Sequence, residues 1–245
     1  MFRDYLCNLI NPNEISGKKV LEVGSGSGRI LHMISRYKPK LLIGVEPSVG
    51  FSVLAANTIT IPNLQLINKS GAEYRESDLD ITFSLGVIHH IKNPEETIRN
   101  IYDSLIPGGT FLCWVYGLEN KRIYVISRYL ISKLTRLLPD TYLDKICHHL
   151  TWLVVKYGNL SAKYFKSRFP ATTYIQNVFE PCGDMEKKYI IFDQLNPTYS
   201  KYYREKEIRK LLHEAGFSEV KIVHRHKYSW TAMAFKGKSD MKTEF

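Results

Sequence analysis

The chain has 245 residues, 44% hydrophobic and 24% charged, with 34 Lys and Arg against 24 Asp and Glu, a formal net charge of +10. This composition is ordinary for a globular protein, and the length suits one α/β domain with an insertion. No apolar stretch approaches the ~20 residues needed to span a bilayer, and Cys7, Cys113, Cys147 and Cys182 lie far apart without a C-x-x-C pair, which argues against both a disulfide framework and a cysteine zinc site.

The first sixteen residues read as a short helix and a connector. They contain an acid and lack the apolar core of a signal peptide, so a cytoplasmic protein with reduced thiols is expected. Lys18 to Val23 predicts a first strand, and Val20 to Arg29 reads Val-Leu-Glu-Val-Gly-Ser-Gly-Ser-Gly-Arg. Three glycines at alternate positions, Gly24, Gly26 and Gly28, follow the strand and open a helix running from Arg29 to Tyr37. A backbone that turns sharply off a strand and approaches a ligand has no room for Cβ atoms. Arg29 stands where a third glycine would complete G-x-G-x-x-G, so the dinucleotide fingerprint fails by one position. Glu22, two residues before the first glycine, would repel a pyrophosphate and attract an ammonium or sulfonium. The pattern points to a small cationic cofactor.

Leu41 to Glu46 predicts the second strand, and Glu46, just before Pro47, is placed to hold two ribose hydroxyls. A helix is expected over Ser48 to Ala56, strands over Leu64 to Ile67 and Ile81 to Leu85, and a helix over Pro94 to Leu105 with Asn93 as its N-cap. Phe111 to Tyr116 predicts the fifth strand. Alternating strands and helices at this spacing indicate a doubly wound parallel sheet.

The alternation then stops. Lys121 to Leu138 puts Ile123, Ile126, Leu130, Leu134 and Leu137 on one helical stripe, with Arg122, Arg128, Lys133 and Arg136 elsewhere on the helix. After Pro139-Asp140, a second stripe comprises Leu143, Ile146, Leu150, Leu153 and Tyr157. Residues 121–170 hold ten Lys or Arg and two acids, a surplus of eight positive charges. Charge so confined suggests an anionic partner. Two readings stand: a mobile basic lid over the acceptor, or an ordinary helical subdomain or dimer face with buried stripes and solvated charges. The sheet resumes with a helix over Glu205 to Glu214, capped by Gly216, and strands over Val220 to Val223 and Trp230 to Phe235. His224 and His226 alternate on one strand without a third ligand nearby, so no metal site is expected.

These motifs resemble the class I S-adenosylmethionine-dependent methyltransferases. Asp80-Ile81-Thr82-Phe83-Ser84-Leu85-Gly86-Val87-Ile88-His89-His90, Asn93-Pro94, and Leu105-Ile106-Pro107-Gly108-Gly109-Thr110-Phe111 are similar to the ubiquinone and menaquinone branch (methyltransferase type 11). The match covers roughly residues 17 to 117. The resemblance implies a seven-stranded, Rossmann-like α/β sheet with an antiparallel last strand and a helical insertion after the fifth strand. It divides the chain into a cofactor-binding core (1–120), a basic helical insertion (121–190) and a C-terminal completion of the sheet (191–245).

The implied cofactor is S-adenosyl-L-methionine. Glu22, Gly24, Ser25, Gly26 and Gly28 would meet its amino-acid end, and Glu46 with Pro47 its ribose. Ser70, Gly71 and Ala72 would meet its adenine, and Leu85 and Gly86 its methionine part. Ser70 departs from the family pattern, which often has an acid there, and leaves the adenine contact to backbone around Gly71 and Ala72 or to Glu73. His89, His90 and Tyr116 are the catalytic candidates, since a hydroxyl acceptor needs a base near pH 7. Tyr199, Tyr202 and Arg122 are the acceptor-side candidates, the tyrosines lying in a polar stretch from Phe192 to Tyr203 read as a connector.

The expected reaction is O-methylation of a small, anionic metabolite, sugar or lipid-linked molecule, with a peripheral membrane contact through residues 121–170. Two alternatives remain: a tRNA wobble-uridine methyltransferase, and a catalytically silent binding subunit.

Overall fold

In a computed structural model of the protein, residues 2–119, 121–165, 171–196 and 199–238 are described. The chain divides into two compact units. The described residues of the first are 2–117, 201–225 and 229–238, and the second lies within 118–200 and 226–228.

The first unit is built on a seven-stranded sheet. Helix α1 (Phe2–Leu6) precedes β1 (Lys19–Val23), α2 (Arg29–Ser35), β2 (Leu41–Val45), α3 (Phe51–Thr58), β3 (Leu64–Ile67) and β4 (Leu79–Leu85). Then come α4 (Glu95–Ser104) and β5 (Leu105–Tyr116). The second unit holds α5 (Arg122–Thr135), α6 (Asp140–Phe165), the short α7 (Thr172–Tyr174), a π-helical turn over Ile175–Phe179, and α8 (Asp184–Leu195). The chain returns to the first unit for α9 (Glu205–Glu214), β6 (Glu219–Arg225) and β7 (Ser229–Phe235).

The strand order is β3-β2-β1-β4-β5-β7-β6. The first five are mutually parallel, and β7 runs antiparallel to both β5 and β6. This is the doubly wound, Rossmann-like α/β architecture expected, with the antiparallel strand last in sequence and a helical region after β5. Side chains alternate across each strand, so Leu21, Val23, Ile43 and Phe111 enter one apolar cluster and Val20, Leu42, Ile81 and Leu112 the other. Helices cover both faces, which is why the central strands read as nearly continuous apolar runs.

The second unit has a small core of Leu143, Cys147, Ile175, Phe179 and Ile191. Gly158 lets α6 come close to that core: a Cβ there would sit 2.6 Å from Ile175 Cγ2. Asp144 and Lys188 tie α6 to α8 at 2.6 Å.

Three features differ from the pattern reading. Helix α4 begins at Glu95 with Pro94 in the cap position and no side-chain cap, where Asn93 was expected as the N-cap. Phe192 to Leu195 is the last turn of α8, where a connector was expected; Glu186 caps the start of that helix by accepting the Gly183 amide at 3.1 Å. The apolar stripe of α5 also faces outward. Ile126, Leu130 and Leu134 are exposed while Arg128 and Ser132 are buried. Arg128 donates to Ser200 Oγ at 2.7 Å and to the Asp193 carbonyl at 3.2 Å, and Tyr124 donates to Gln194 Oε1 at 2.9 Å. The end of α8 thus binds the polar side of α5. The stripe of α6 divides likewise: Leu143 is inside, Leu150 half-buried, and Ile146, Leu153 and Tyr157 exposed.

All four cysteines are free thiols. Among the described residues, no helix is long and apolar enough to cross a membrane.

Candidate active site

Parallel strands β1, β2, β4 and β5 deliver their carboxyl ends to one edge of the sheet, where open α/β folds bind ligands. β1 leads into Gly24–Gly28, β2 into Glu46, β4 into Gly86–His90, and β5 ends at Tyr116.

The three loop glycines are there for different reasons. Gly24 has φ +80°, and a Cβ there would lie 2.4 Å from Val87 Cγ2; Gly28 has φ +87° and a Cβ would lie 2.3 Å from Thr58 Cγ2. At these two positions the protein itself occupies the space. Gly26 also has positive φ, +52°, yet a Cβ there would meet nothing within 4 Å. The loop therefore leaves open room over Gly26, the cradle a ligand would fill.

Glu46 ties this loop to β2. It is buried, and its Oε2 accepts the Gly26 amide at 2.8 Å while its Oε1 accepts the Ser48 amide at 3.1 Å, just past Pro47. Each carboxylate oxygen keeps a second lone pair, which suits it to a ribose diol. Asn68 Nδ2 donates to the Glu46 carbonyl at 2.8 Å and steadies the strand end.

Glu22 lies beneath the loop at 1% exposure, and its Oε2 has no hydrogen-bond partner among the described residues. Burial raises its carboxyl to about 8; Ser25 and Arg29 pull the other way, and Glu46 adds to the rise. A buried carboxyl with an unsatisfied oxygen awaits a charged donor. The ammonium of an amino-acid moiety matches it and a phosphate does not. On these observations the residues fit S-adenosylmethionine.

On the nucleobase side, Ser70 is engaged with Glu73: its amide and hydroxyl both donate to Glu73 Oε2, at 2.9 and 2.6 Å. These bonds hold the Glu73 carboxyl below its usual range. The Gly71 and Ala72 carbonyls accept from Asn100 Nδ2 at 3.1 and 2.6 Å. Gly71 packs too closely for a side chain, since a Cβ would lie 2.6 Å from Thr97 Cγ2. At the end of β4, Leu85 is buried and the Gly86 amide donates to the Trp114 carbonyl at 3.1 Å.

The catalytic candidates form one aromatic cluster. His89 is fully buried, with its ring centroid 4.2 Å from His90 and 3.9 Å from Tyr116. Trp114 meets His89 edge-on at 5.8 Å. His90 and Tyr116 are half-buried, and Tyr202 stacks on Tyr116 at 5.2 Å. The pairing is fixed by backbone: the Tyr203 amide donates to the Tyr116 carbonyl and the Lys201 amide to the His89 carbonyl, both at 2.8 Å. Tyr202 thus joins His89, His90 and Tyr116 in the first unit. Tyr199 belongs to the second unit, as does Arg122 at the start of α5, whose side chain lies outside what the structure describes. His224 stacks on Trp230 at 4.0 Å, a packing role.

Pattern reading missed Val87, Thr97 and Asn100. Asn100 carried a usable signal, a polar residue on the helix face that holds Ile98 and Ile101 in the core. Val87 and Thr97 carried none.

The family described as a methyltransferase domain matches residues 2–222. Among curated proteins, the chain is 26% identical over 142 residues to the tRNA U34 carboxymethyltransferase of Desulfotalea psychrophila, covering 53% of this chain and 41% of that enzyme. It is 30% identical over 115 residues to the tRNA U34 carboxymethyltransferase of Campylobacter curvus, covering 44% of this chain and 39% of that enzyme. The chain thus spans less than half the length of these curated relatives. Among solved structures, an S-adenosylmethionine-dependent methyltransferase from Aquifex aeolicus superposes with TM-score 0.53 at 13% identity, over 95% of this chain and 93% of that one. Magnesium protoporphyrin IX methyltransferase from Synechocystis superposes with TM-score 0.55 at 13% identity, over 96% and 82%. At such identities the likeness is one of fold.

Proposed function

This chain belongs to the methyltransferase family, whose members use S-adenosylmethionine, and from that premise we propose that it methylates an oxygen of a small anionic or lipid-linked acceptor. The observation that carries the cofactor half is the buried Glu22 carboxyl with its unsatisfied oxygen beneath the open Gly26 cradle. The acceptor half is supported by the His89–His90 pair and by the surplus of basic residues over 121–170.

Bound S-adenosylmethionine supplies a methyl group on a sulfonium, an activated leaving group, so alignment is the main demand on the protein. Glu46 would hold the ribose of the cofactor, and Glu22 with the Gly24–Gly28 loop its amino-acid end, the Glu22 carboxyl facing the ammonium. His90, the member of the pair with exposed surface, takes the acceptor's proton at a ring nitrogen. His89 acts as a positioning residue, fixing the His90 ring by packing against it at a tilt. Tyr116 and Tyr202 close the other side of the cluster.

A second reading comes from the curated relatives, which are named for tRNA U34: the acceptor would be a nucleoside in tRNA. One experiment separates the two. The protein is incubated with methyl-labelled S-adenosylmethionine and, separately, with an anionic metabolite pool, a polar lipid extract and total tRNA. Label in the metabolite or lipid fraction supports the proposal, and label in tRNA replaces it with the second reading. Cofactor binding with no label in any fraction overturns methyl transfer to these acceptors.

A further inference from the structure

Helix α6 has 26 residues and two contrasting sides. Leu143, Cys147, Gly158 and Ser161 are buried. About a quarter turn away run Tyr142, Ile146, Leu153, Leu160 and Tyr164, all exposed, with Leu160 at 56% and Tyr164 at 61%. Their spacing, i, i+4, i+11, i+18 and i+22, keeps them within one narrow strip of the helix surface. At 1.5 Å per residue the strip is about 33 Å long. An apolar ridge of this length in water is unfavourable unless something covers it.

The residues beside the ridge indicate what that is. Lys145, Lys156 and Lys163 form a row along its flank, each with its ammonium near an aromatic ring: 6.0 Å from Tyr142, 4.0 Å from Trp152 and 5.1 Å from Tyr164. Trp152 itself is 56% exposed. From Lys145 to Phe165 there is no Asp or Glu, and α5 has none either. On α5, Ile126, Leu130 and Leu134 face away from the side that carries Arg128. A long convex apolar strip, bordered by Trp, Tyr and a row of lysines, is the make-up of a helix lying in the plane of a membrane surface. The aromatic rings suit the headgroup level, and lysine stems reach past the apolar strip to set their charges among anionic headgroups.

We infer that the exposed ridge of α6 is a docking surface for an anionic lipid bilayer. A second copy of the chain is a poor occupant, because two faces with the same surplus of positive charge repel. RNA would satisfy the lysines and leave the Ile and Leu ridge in water. No described helix crosses a bilayer, so the contact is one of lying on the surface. The inference rests on the second unit alone and is independent of the methyl acceptor.

The test uses the full chain and vesicles of phosphatidylcholine with or without 30% phosphatidylglycerol, read by co-sedimentation and by tryptophan emission. Binding is expected on the anionic vesicles only, with a blue shift from Trp152 that is lost in Trp152→Phe. Lys145→Gln, Lys156→Gln and Lys163→Gln together should lower the partition on the order of a hundredfold, at roughly 1 kcal/mol per lysine. Leu153→Glu with Leu160→Glu should abolish it. Far-UV circular dichroism, measured in parallel, should stay unchanged and confirm that the helices of the second unit are folded, and S-adenosylmethionine affinity should be unaffected. Absence of binding to anionic vesicles at low salt overturns the inference. So does binding that survives both sets of substitutions, a stable dimer that buries Trp152, or an RNA complex that needs Leu153 and Leu160.

Discussion

Glu46 and Gly26 are joined by a hydrogen bond of 2.8 Å from the Gly26 amide to Glu46 Oε2, across twenty positions of sequence. The acid at the end of β2 therefore shapes the loop after β1 as well as offering lone pairs to a ligand. Removing it acts on both. Glu46→Ala should weaken S-adenosylmethionine and its demethylated product alike, by about 2–3 kcal/mol, because both share the ribose and both lie on the same loop. Titration calorimetry with the two ligands checks this, and equal affinities in variant and wild type would remove Glu46 from the site.

The glycines of that loop should separate by substitution. Gly24→Ala and Gly26→Ala place alanine at a similarly unfavourable positive φ, a cost of about 1–3 kcal/mol each. Gly24→Ala additionally drives a methyl into Val87 and should cost more stability than Gly26→Ala. Gly26→Ala fills the cradle, so its larger effect should be on cofactor affinity, and Gly26→Val should block binding. Melting temperatures with and without cofactor read both effects; a Gly26→Val protein that binds normally would place the ligand elsewhere.

Glu22 should couple cofactor binding to pH. In the ligand-free protein its carboxyl sits near 8, far above the ordinary 4.5, chiefly because it is buried. A neighbouring ammonium favours the ionised form, so binding below pH 8 should release a proton. Affinity should rise as pH approaches 8 and fall beyond it as the ligand's amine loses its own proton. Calorimetry in buffers of differing ionisation enthalpy measures the proton.

The same shift has a stability consequence of opposite sense. A raised carboxyl disfavours the folded state once the unfolded chain ionises, so this contribution is full below about pH 4.5 and is lost as pH rises towards 8. Glu22→Gln should remove that loss. The ligand-free variant should then melt higher than wild type at pH 8 while binding S-adenosylmethionine more weakly. A variant less stable than wild type at pH 8 would contradict the burial argument.

The two histidines should behave differently. His90→Ala should lose ~10²–10⁴ in turnover with cofactor affinity retained. His89→Ala removes a fully buried ring from between His90 and Tyr116, and should lower the melting temperature as well as turnover. Near-normal turnover in His90→Ala would mean that catalysis proceeds by alignment and that the pair is structural.

What the sequence determined by itself was whatever is set by neighbours along the chain. Strand ends, the glycine turn and the acid ending β2 follow from local backbone sterics, and α9 was legible to the residue because its charged face, apolar period and Gly216 all lie within it. The Gly183–Glu186 cap of α8 is equally local, three positions apart. Tertiary structure alone decided the rest. Val87 against Gly24 and Thr97 against Gly71 act across 63 and 26 positions, distances over which no periodicity speaks. Most of all, the apolar period of α5 identified a helix but not its inner side. That side was chosen by the polar end of α8, whose Asp193 carbonyl, with Ser200 beyond it, takes up Arg128, because a buried guanidinium requires acceptors while an exposed leucine tolerates water.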